Sequence, residues 1–574
     1  MYVLGISFNC YNPSACLLKD NKIIAFVEEE RLNRIKNSAN LFPILSIQNC
    51  MKLGNVQLND ISFIAYGFDV NNYDNGSMRT FYDSIEFDKD DATKEWEEDN
   101  IQLFSDENIK KTIALNFSKI GINSAIPEIK YYSHHLCHAA SSFYCSEYNQ
   151  AIAITMDGSG DDNCAVLWDC DGQTIKEIES IKLPNSLGWL YASITEYLGF
   201  QANDGEGKVM GLAPYGKKEK KIEHAFDKII KIKGKDYFID PSFIFYGKHN
   251  YNDRFTDKMV NTLPLTPRKK KDDLFSGYQD IAFSMQERLE KSLVNLTNSL
   301  IASTKKKNLC LAGGVALNCK ANGKIWESCD LENIFIQPIS SDAGVSLGAA
   351  LLCLKENGVS SRVKFSNVYL GPEFSNNEIE AVLQMNKLRY ERLSNIEKVT
   401  AELIRDGNII GWFQGRMEAG PRALGSRSIL ADPRLADMKE KVNNRVKFRD
   451  EWRPFCPSVL ADKANEYFES FYFHPFMILA FKVKTDKINN IPAVVHIDGS
   501  ARPQMVSPED NPRYYKMIQY FDELTGVPIV LNTSFNVKGE PVVCSPLDAI
   551  RCFYGTGLDY LIIGDFILSK EMNS

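Results

Sequence analysis

Residues 308–354, NLCLAGGVALNCKANGKIWESCDLENIFIQPISSDAGVSLGAALLCL, decide the fold class. The apolar run NLCLA ends at Gly313-Gly314, as a strand does when it turns sharply toward a helix. A second apolar run, IFIQPIS, predicts another strand, and the Ala/Leu-rich stretch 342–354 predicts another helix. Strand, helix, strand, helix in this order means a mixed, mainly parallel sheet with helices packed on it. Just upstream, residues 277–303 space their apolar side chains by three and four, which predicts a long amphipathic helix.

Working outward, YVLGISF (2–8) and ACLLKDNKIIAFV (15–27) give three apolar runs, with a hairpin turn at Asp20-Asn21. Residues 61–67 (ISFIAYG) and 151–156 (AIAITM) predict further strands. Strand-rich starts near residues 1 and 151 fit two similar α/β lobes. Glu28-Glu29-Glu30-Arg31 reads as a solvated helix start. Residues 83–109 are strongly acidic with few apolar anchors, and read as a surface insertion. Residues 217–275 carry the basic clusters KKEKK and RKKK and little periodicity, the pattern of a second insertion or substrate lid. The polar stretch 355–375 marks a boundary, so the expected domains are 1–360 and 361–574. The second has its own strand–helix alternation, with helices at 376–386 and 395–406 and strands at IIGWFQ, VPIVLN and DYLIIGDFIL.

The formal net charge of -8 argues against a general nucleic-acid binder, which needs a basic face, but leaves room for a local anion pocket. The chain opens on a strand, with no basic-then-apolar leader, and no apolar stretch approaches the roughly 20 residues that cross a bilayer. The 14 cysteines are dispersed and form no CxxC pair. They read as reduced, buried thiols of a cytoplasmic protein.

Three of the seven histidines fall in YYSHHLCHAASSF. His134 and His138 are four apart in a helix-favouring run, which puts both rings on one face, about 5–6 Å apart at Cβ. Two imidazoles so placed can share a divalent metal. Asp157 opens DGSGD at the end of an apolar strand, where open α/β sheets bind ligands. Gly158 and Gly160 there let backbone N–H groups approach phosphate. An ordinary Asp-Gly turn would leave the same pattern. Asp342 stands where a helix N-cap would, and capping alone would account for it. Together His134, His138, Asp157 and Asp342 form a nitrogen/oxygen donor set suited to iron, zinc or manganese.

Gly313 and Gly314 clear space for a ligand to approach the backbone, and Asn318 falls one turn into the helix that follows. NDGEGKVMGLAPYG sets Gly205, Gly207, Gly211 and Gly216 around Lys208. Neither stretch matches GxxxxGK[ST], which excludes a Walker-type NTPase. In the last third, Arg416, Arg422 and Arg427, then Arg445, Lys447, Arg449 and Arg453, then Arg502, lie among apolar, Gly or Pro residues. Arg forks and a Lys point charge suit phosphate. Ion pairing with Asp450, Glu451 and Asp498 would explain them equally. Asn532, Thr533, Ser534 and Asn536 cluster polar groups at a strand end, which suits ribose and phosphate recognition or a polar turn.

The motifs HHLCHAA, MDGSGD, GKVMGLAPYG, AGGVALN, SDAGVSLGAA, GPRALGSRS, EWRPFCPS, SARPQ and NTSFN, in that order, identify a resemblance over essentially the whole chain. The sequence resembles the NodU/CmcH/TobZ family of ATP-dependent O-carbamoyltransferases. The resemblance implies a two-lobed N-terminal domain similar to TsaD, on the actin/sugar-kinase (ASKHA) architecture, and a YrdC-like α/β C-terminal domain. It implies that His134, His138, Asp157 and Asp342 hold Fe2+ or another divalent metal. It also implies that Arg422, Lys447, Arg502, Ser534 and Asn536 hold ATP and carbamoyl-adenylate. Carbamoyl phosphate and ATP, with Mg2+, would be co-substrates, and a small-molecule hydroxyl the acceptor. Where the family commonly has a His-Asp pair after the first strand, this chain has Tyr11 and Asn12. Two other readings stay open, an ASKHA-type metal-dependent small-molecule kinase releasing ADP and a non-catalytic ATP-binding switch.

Overall fold

The computed structural model describes residues 1–85, 89–122, 125–245 and 254–573. By internal contacts the chain divides into unit 1, Met1–Glu29 with Ser38–Phe365, and unit 2, Glu30–Asn37 with Ser366–Ser574.

Unit 1 contains two sheets of the same design. The first is built from β1 (Tyr2–Ser7), β2 (Ser14–Lys19), β3 (Lys22–Glu28), β4 (Ile61–Tyr66) and β5 (Glu128–Tyr131), in the order β3-β2-β1-β4-β5. The next three strands are β6 (Gln150–Gly160), β7 (Asn163–Asp171) and β8 (Thr174–Lys182), and a separate hairpin is made by β9 (Ile230–Lys233) and β10 (Asp236–Ile239). With β11 (Asn308–Ala312) and β12 (Asn333–Ile336), the second sheet runs β12-β11-β6-β7-β8. The two-lobed α/β expectation therefore holds. The expectation of a mainly parallel sheet does not. Each sheet has two antiparallel pairings (β1·β2 and β2·β3; β6·β7 and β7·β8) beside two parallel ones. The first three strands of each sheet are joined by turns too short for a parallel crossover.

The helix Ala343–Glu356 is buried from Ala343 to Leu354, as a stretch with apolar residues all round must be, and only its last two residues, Lys355 and Glu356, are exposed. It approaches β1 so closely that a Cβ on Gly5 would meet the Ser346 carbonyl oxygen at 1.9 Å. A Cβ on Gly348 would meet the Cys137 carbonyl oxygen at 1.9 Å, so glycine lets this helix lie against the helix His134–Phe143. That contact brings Asp342 to the histidines.

The two insertions are more ordered than their composition predicts. Helices span Asp91–Leu103 and Asp106–Lys119. Asp90 caps the first by accepting from Thr93 N at 2.8 Å, and Ser105 caps the second by accepting from Asn108 N at 3.3 Å. Ile109, Ile113 and Phe117 are the buried face of the second helix, and Trp96 reaches the Trp189 ring. In the later insertion the helix Lys220–Ile229 buries Ile222, Ala225, Phe226 and Ile229, a four-residue signature too short to stand out among lysines. The portions of these segments at 86–88 and 246–253 lie outside the described residues. The predicted long helix spans Tyr278–Thr304. All 14 cysteines are free and buried, and no helix among the described residues is long and apolar enough to cross a membrane.

Unit 2 supplies β13 (Glu391–Arg392), β14 (Ile410–Phe413), β15 (Arg427–Ala431), β16 (Cys456–Leu460), the short pair β17 (Phe481–Lys482) and β18 (Ser500–Ala501), β19 (Gln504–Val506), β20 (Ile529–Ser534), β21 (Tyr560–Ile563) and β22 (Phe566–Ser569). Its main sheet runs β13-β22-β21-β14-β15-β20-β16-β19. Helices Asn376–Met385 and Pro546–Tyr554 both start at capping boxes, Ser375 with Glu378 and Ser545 with Asp548.

The acidic run at 28–31 is not a solvated face. Glu29 is 2% exposed and Arg31 3%. The Glu29 carboxylate accepts from Ser46 N and Ser46 Oγ, both at 2.8 Å. Arg31 Nη2 donates to the Gly420 carbonyl at 2.8 Å, and Leu32 packs on Met417, Val542 and Cys544. Charged side chains are buried here because each finds a dedicated partner.

Candidate functional site

In unit 1 the helix His134–Phe143 carries both predicted histidines on one face, with their Nε2 atoms 3.1 Å apart. His138 Nε2 lies 3.3 Å from Asp157 Oδ2, and His134 Nε2 lies 3.8 Å from Asp342 Oδ1. One donor atom from each of the four residues falls within 4.8 Å of the others. Asp342 does not cap its helix, since its side chain makes no cap hydrogen bond; Oδ2 instead accepts from Tyr11 N at 3.1 Å. The Tyr11 backbone thus holds the Asp342 carboxylate beside the histidines.

The electrostatics fit a cation. Burial, and then the neighbouring His138, pull the His134 pKa well below the ordinary value. Burial raises Asp342 to about 7, helped by the Asp157 charge. Burial also opposes ionisation of Asp157, but its hydrogen bond with His138 and the nearby rings win, and its carboxyl stays well below the usual range. Two facing imidazole nitrogens and two close carboxylates have too few protons to satisfy every pair, whereas a divalent metal takes one atom from each.

The surrounding glycines are dictated by packing. A Cβ on Gly160 would meet His134 Cδ2 at 2.1 Å, and one on Gly158 would meet Trp189 Nε1 at 2.5 Å. Gly313 has φ +93°, and a Cβ there would meet the Met156 carbonyl oxygen at 2.2 Å. Asp157 Oδ2 accepts from Gly314 N at 2.9 Å and Oδ1 from Gly158 N at 2.8 Å, so these amides are taken up in holding the Asp157 carboxylate. Asp161 went unread. It accepts from His134 N at 2.9 Å and Asp69 N at 3.2 Å, fixing the start of the histidine helix. Its only signal in sequence is being the first of the paired aspartates that close DGSGDD. His135 points away from the tetrad, with its Nδ1 at 3.0 Å from Thr155 Oγ1 and Nε2 at 3.2 Å from the Asn163 carbonyl.

Asn318 is not inside a helix but is the N-cap of Cys319–Ser328, accepting from Ala321 N at 3.0 Å. A short 3-10 turn, Gly314–Leu317, delays the helix start. The Asn318 amide also exchanges hydrogen bonds with Gln286 at 2.9 and 3.0 Å. Lys208 lies on the helix Glu206–Leu212, with Nζ 3.4 Å from Asp204 Oδ2.

In unit 2, Lys447 ends the π-helical turn Asn443–Lys447 and is 4% exposed. Its ammonium donates to the Ser534 and Asn536 carbonyls, to Ser534 Oγ at 3.2 Å and to Asn536 Oδ1 at 2.8 Å. All of these acceptors are neutral. Burial, and then Arg449, push its pKa well down, with Arg453 and Lys36 acting in the same sense. Arg449 is lowered to about 9 by burial and then by Arg453, and Arg502 adds to this. Arg449 Nε donates to Asn443 Oδ1 at 2.7 Å, and the Arg502 guanidinium meets Cys456 Sγ at 3.1 and 3.3 Å. Cations that depress one another are held ready for an anion. Asn532 is 1% exposed, and its amide nitrogen reaches the Ala423 carbonyl, Ser458 Oγ and Gln504 Oε1 at 2.9–3.1 Å. It therefore ties β20 to its neighbours, and the backbone it holds at Ala423 adjoins Arg422. Three other cations leave the group. Arg427 and Arg416 hold backbone carbonyls at 370–372 and 414–426, and Arg445 pairs with Asp559 at 2.8 Å.

A family model described as Carbamoyltransferase N-terminus matches residues 2–351, and one described as Carbamoyltransferase C-terminus matches residues 401–570. A protein of Synechocystis sp., described as uncharacterised, is 37% identical over 99% of this chain and 97% of its own length. The nodulation protein NolNO of Sinorhizobium fredii is 38% identical over 98% of this chain and 80% of its own. The nodulation protein NolO of Bradyrhizobium diazoefficiens is 38% identical over 76% of this chain and 79% of its own.

Proposed function

The chain belongs to the carbamoyltransferase family, and from that premise we propose an ATP-dependent O-carbamoyltransferase that works in two half-reactions in the cytoplasm. In unit 2, carbamoyl phosphate is hydrolysed to carbamate and phosphate. A carbamate oxygen then bonds to the α-phosphorus of ATP, the bond to the β-phosphate oxygen breaks, and pyrophosphate leaves. In unit 1, the hydroxyl oxygen of a sugar or natural product attacks the carbamoyl carbon; AMP departs and the hydroxyl proton is released.

The observation that carries the reading is the Lys447 ammonium, ringed by neutral oxygens and lowered in pKa by burial and then by Arg449, with Arg453 adding to it. Such a group gains most when phosphate oxygens become more negative, as they do during adenylation. Arg422, Arg449 and Arg502 are assigned to the same phosphates, Ser534 and Asn536 to the nucleotide, and Asn532 to the floor beneath them. Mg2+ would accompany ATP.

In unit 1, His134, His138, Asp157 and Asp342 are assigned to Fe2+ or another divalent ion, which when bound would polarise the reacting centre as a Lewis acid. The chain's own part is orientation: Gly158 and Gly314 amides and Tyr11 N fix the carboxylates, and Asp161 fixes the helix. Gly160, Lys208, Gly313 and Asn318 are assigned to the side on which the adenylate enters.

Lys447→Ala is expected to abolish carbamoyl-phosphate-dependent pyrophosphate release from ATP; normal release would refute the pocket. His138→Ala is expected to form the adenylate and fail to transfer it, so transfer at the parental rate would remove the metal role. Detecting ADP in place of AMP and pyrophosphate would replace the whole scheme with a kinase.

A further inference from the structure

Arg34 belongs to the short segment Glu30–Asn37 that folds with unit 2. Its guanidinium grips a loop far along the chain. Nη1 donates to the Val542 carbonyl at 2.6 Å and Nη2 to the Pro541 carbonyl at 2.8 Å, while Nε lies 3.6 Å from Asp548 Oδ1. The loop so held begins at the end of β20. Within it, Val543 N donates to the Phe535 carbonyl at 2.9 Å, and Asn536 Nδ2 donates to the Glu540 carbonyl at 2.7 Å. Asn536 in turn offers both its carbonyl and Oδ1 to Lys447. One short loop therefore connects the guanidinium to the ammonium.

The ends of the loop are anchored on their own, with Phe535 fully buried and its N–H donating to the Arg427 carbonyl at 2.9 Å and Val543 1% exposed, so what Arg34 steadies is the span between them. Lys538, Gly539 and Glu540 are exposed, and Gly539 has φ +87°, a turn conformation that contributes no packing. Leu32, on the same segment as Arg34, plugs against Met417, Val542 and Cys544 and aligns the clamp. The charge of Lys36 also bears on Lys447.

We propose that Arg34 is a positioning residue for the Lys447 site, holding loop 535–543 in the conformation that presents Ser534 and Asn536 to the ammonium. The proposal rests on the assignment of Lys447 to ATP activation. A bidentate guanidinium on two carbonyls fixes direction as well as distance, which a lysine cannot do. A loop displaced by even about 1 Å would shift the groups around the phosphates and slow the reaction by up to about a hundredfold.

The test compares full-length wild type, Arg34→Ala and Arg34→Lys by backbone hydrogen exchange and by pyrophosphate-release kinetics. Exchange across 536–543 is expected to quicken at least about tenfold in Arg34→Ala. Catalytic efficiency should fall by about tenfold to a hundredfold per folded molecule, with Arg34→Lys intermediate in both. Unchanged exchange in 536–543 with normal kinetics, even alongside a lower melting temperature, would assign Arg34 to packing alone and overturn the proposal. If Arg34→Ala does not fold, Arg34→Lys decides, because it keeps the charge and loses the fork. Should wild type itself release no pyrophosphate, the ATP assignment falls, and the exchange comparison alone decides the clamp.

Discussion

At the scale of single residues, the tetrad depends on a position with no functional group. Gly160 lies against the His134 ring, and a methyl there would collide with it. Gly160→Ala is expected to tilt that ring and weaken divalent-metal affinity by about tenfold to a hundredfold. Metal titration of dialysed protein checks this, and unchanged affinity with unchanged circular dichroism would show that the ring yields. Lys447 offers a second test. Its folded pKa lies well below the ordinary lysine value of 10.5. Between those values the unfolded chain holds the proton and the folded chain does not, so stability rises with pH across that interval. Lys447→Met is expected to flatten this rise in urea melts run from neutral pH to about pH 10. An unaltered slope would assign the titration elsewhere. Spacing singles out His134 and His138 and a strand end singles out Asp157, because both signals are local. Asp342 reads equally as a helix N-cap and joins them through the family resemblance; the structure places one donor atom of each within 4.8 Å of the others. Asp161 was not legible, because its partners are the backbone amides of His134 and Asp69, which leave no trace in residue type.

At the scale of elements, apolar periodicity announced the β1–β2–β3 hairpins and the helix Tyr278–Thr304. It failed where stability comes from caps. The helix Asp91–Leu103 buries Thr93, Glu97 and Asn100, none of which reads as core. The Glu97 carboxylate is matched by Lys89 Nζ at 2.7 Å. Removing the caps at Asp90 and Ser105 by alanine is expected to cost about 1 kcal/mol each, with faster hydrogen exchange confined to the helix that lost its cap. Spreading of the effect to β6 or β7 would show that these helices do not open independently. Asn318 caps its helix where the sequence predicts it one turn inside, for a related reason. A 3-10 turn and an N-cap use the same residues as a continuous helix, and only the hydrogen-bond partners tell them apart.

At the scale of the molecule, the two sheets of unit 1 repeat one strand order, a regularity visible early because each begins with the same run of strands. The membership of Glu30–Asn37 in unit 2 could not be read, since Arg31 and Gly420 are 389 residues apart and their contact has no local signature. A fragment of residues 366–574 lacks Leu32, Arg31 and Arg34. It is expected to be destabilised by roughly 3–5 kcal/mol relative to the same fragment with residues 30–37 fused to it. Equal denaturation midpoints for the two fragments would show that the segment is dispensable. The separation also has a consequence for synthesis. Arg34 and its carbonyl partner at Val542 are 508 residues apart, and a ribosome adding about 5–20 residues per second needs roughly 25–100 s to cover that distance. Throughout that interval the nascent chain carries a short arm, apolar at Leu32, whose docking surface has not yet been translated, and it is then that chaperones have most to shield.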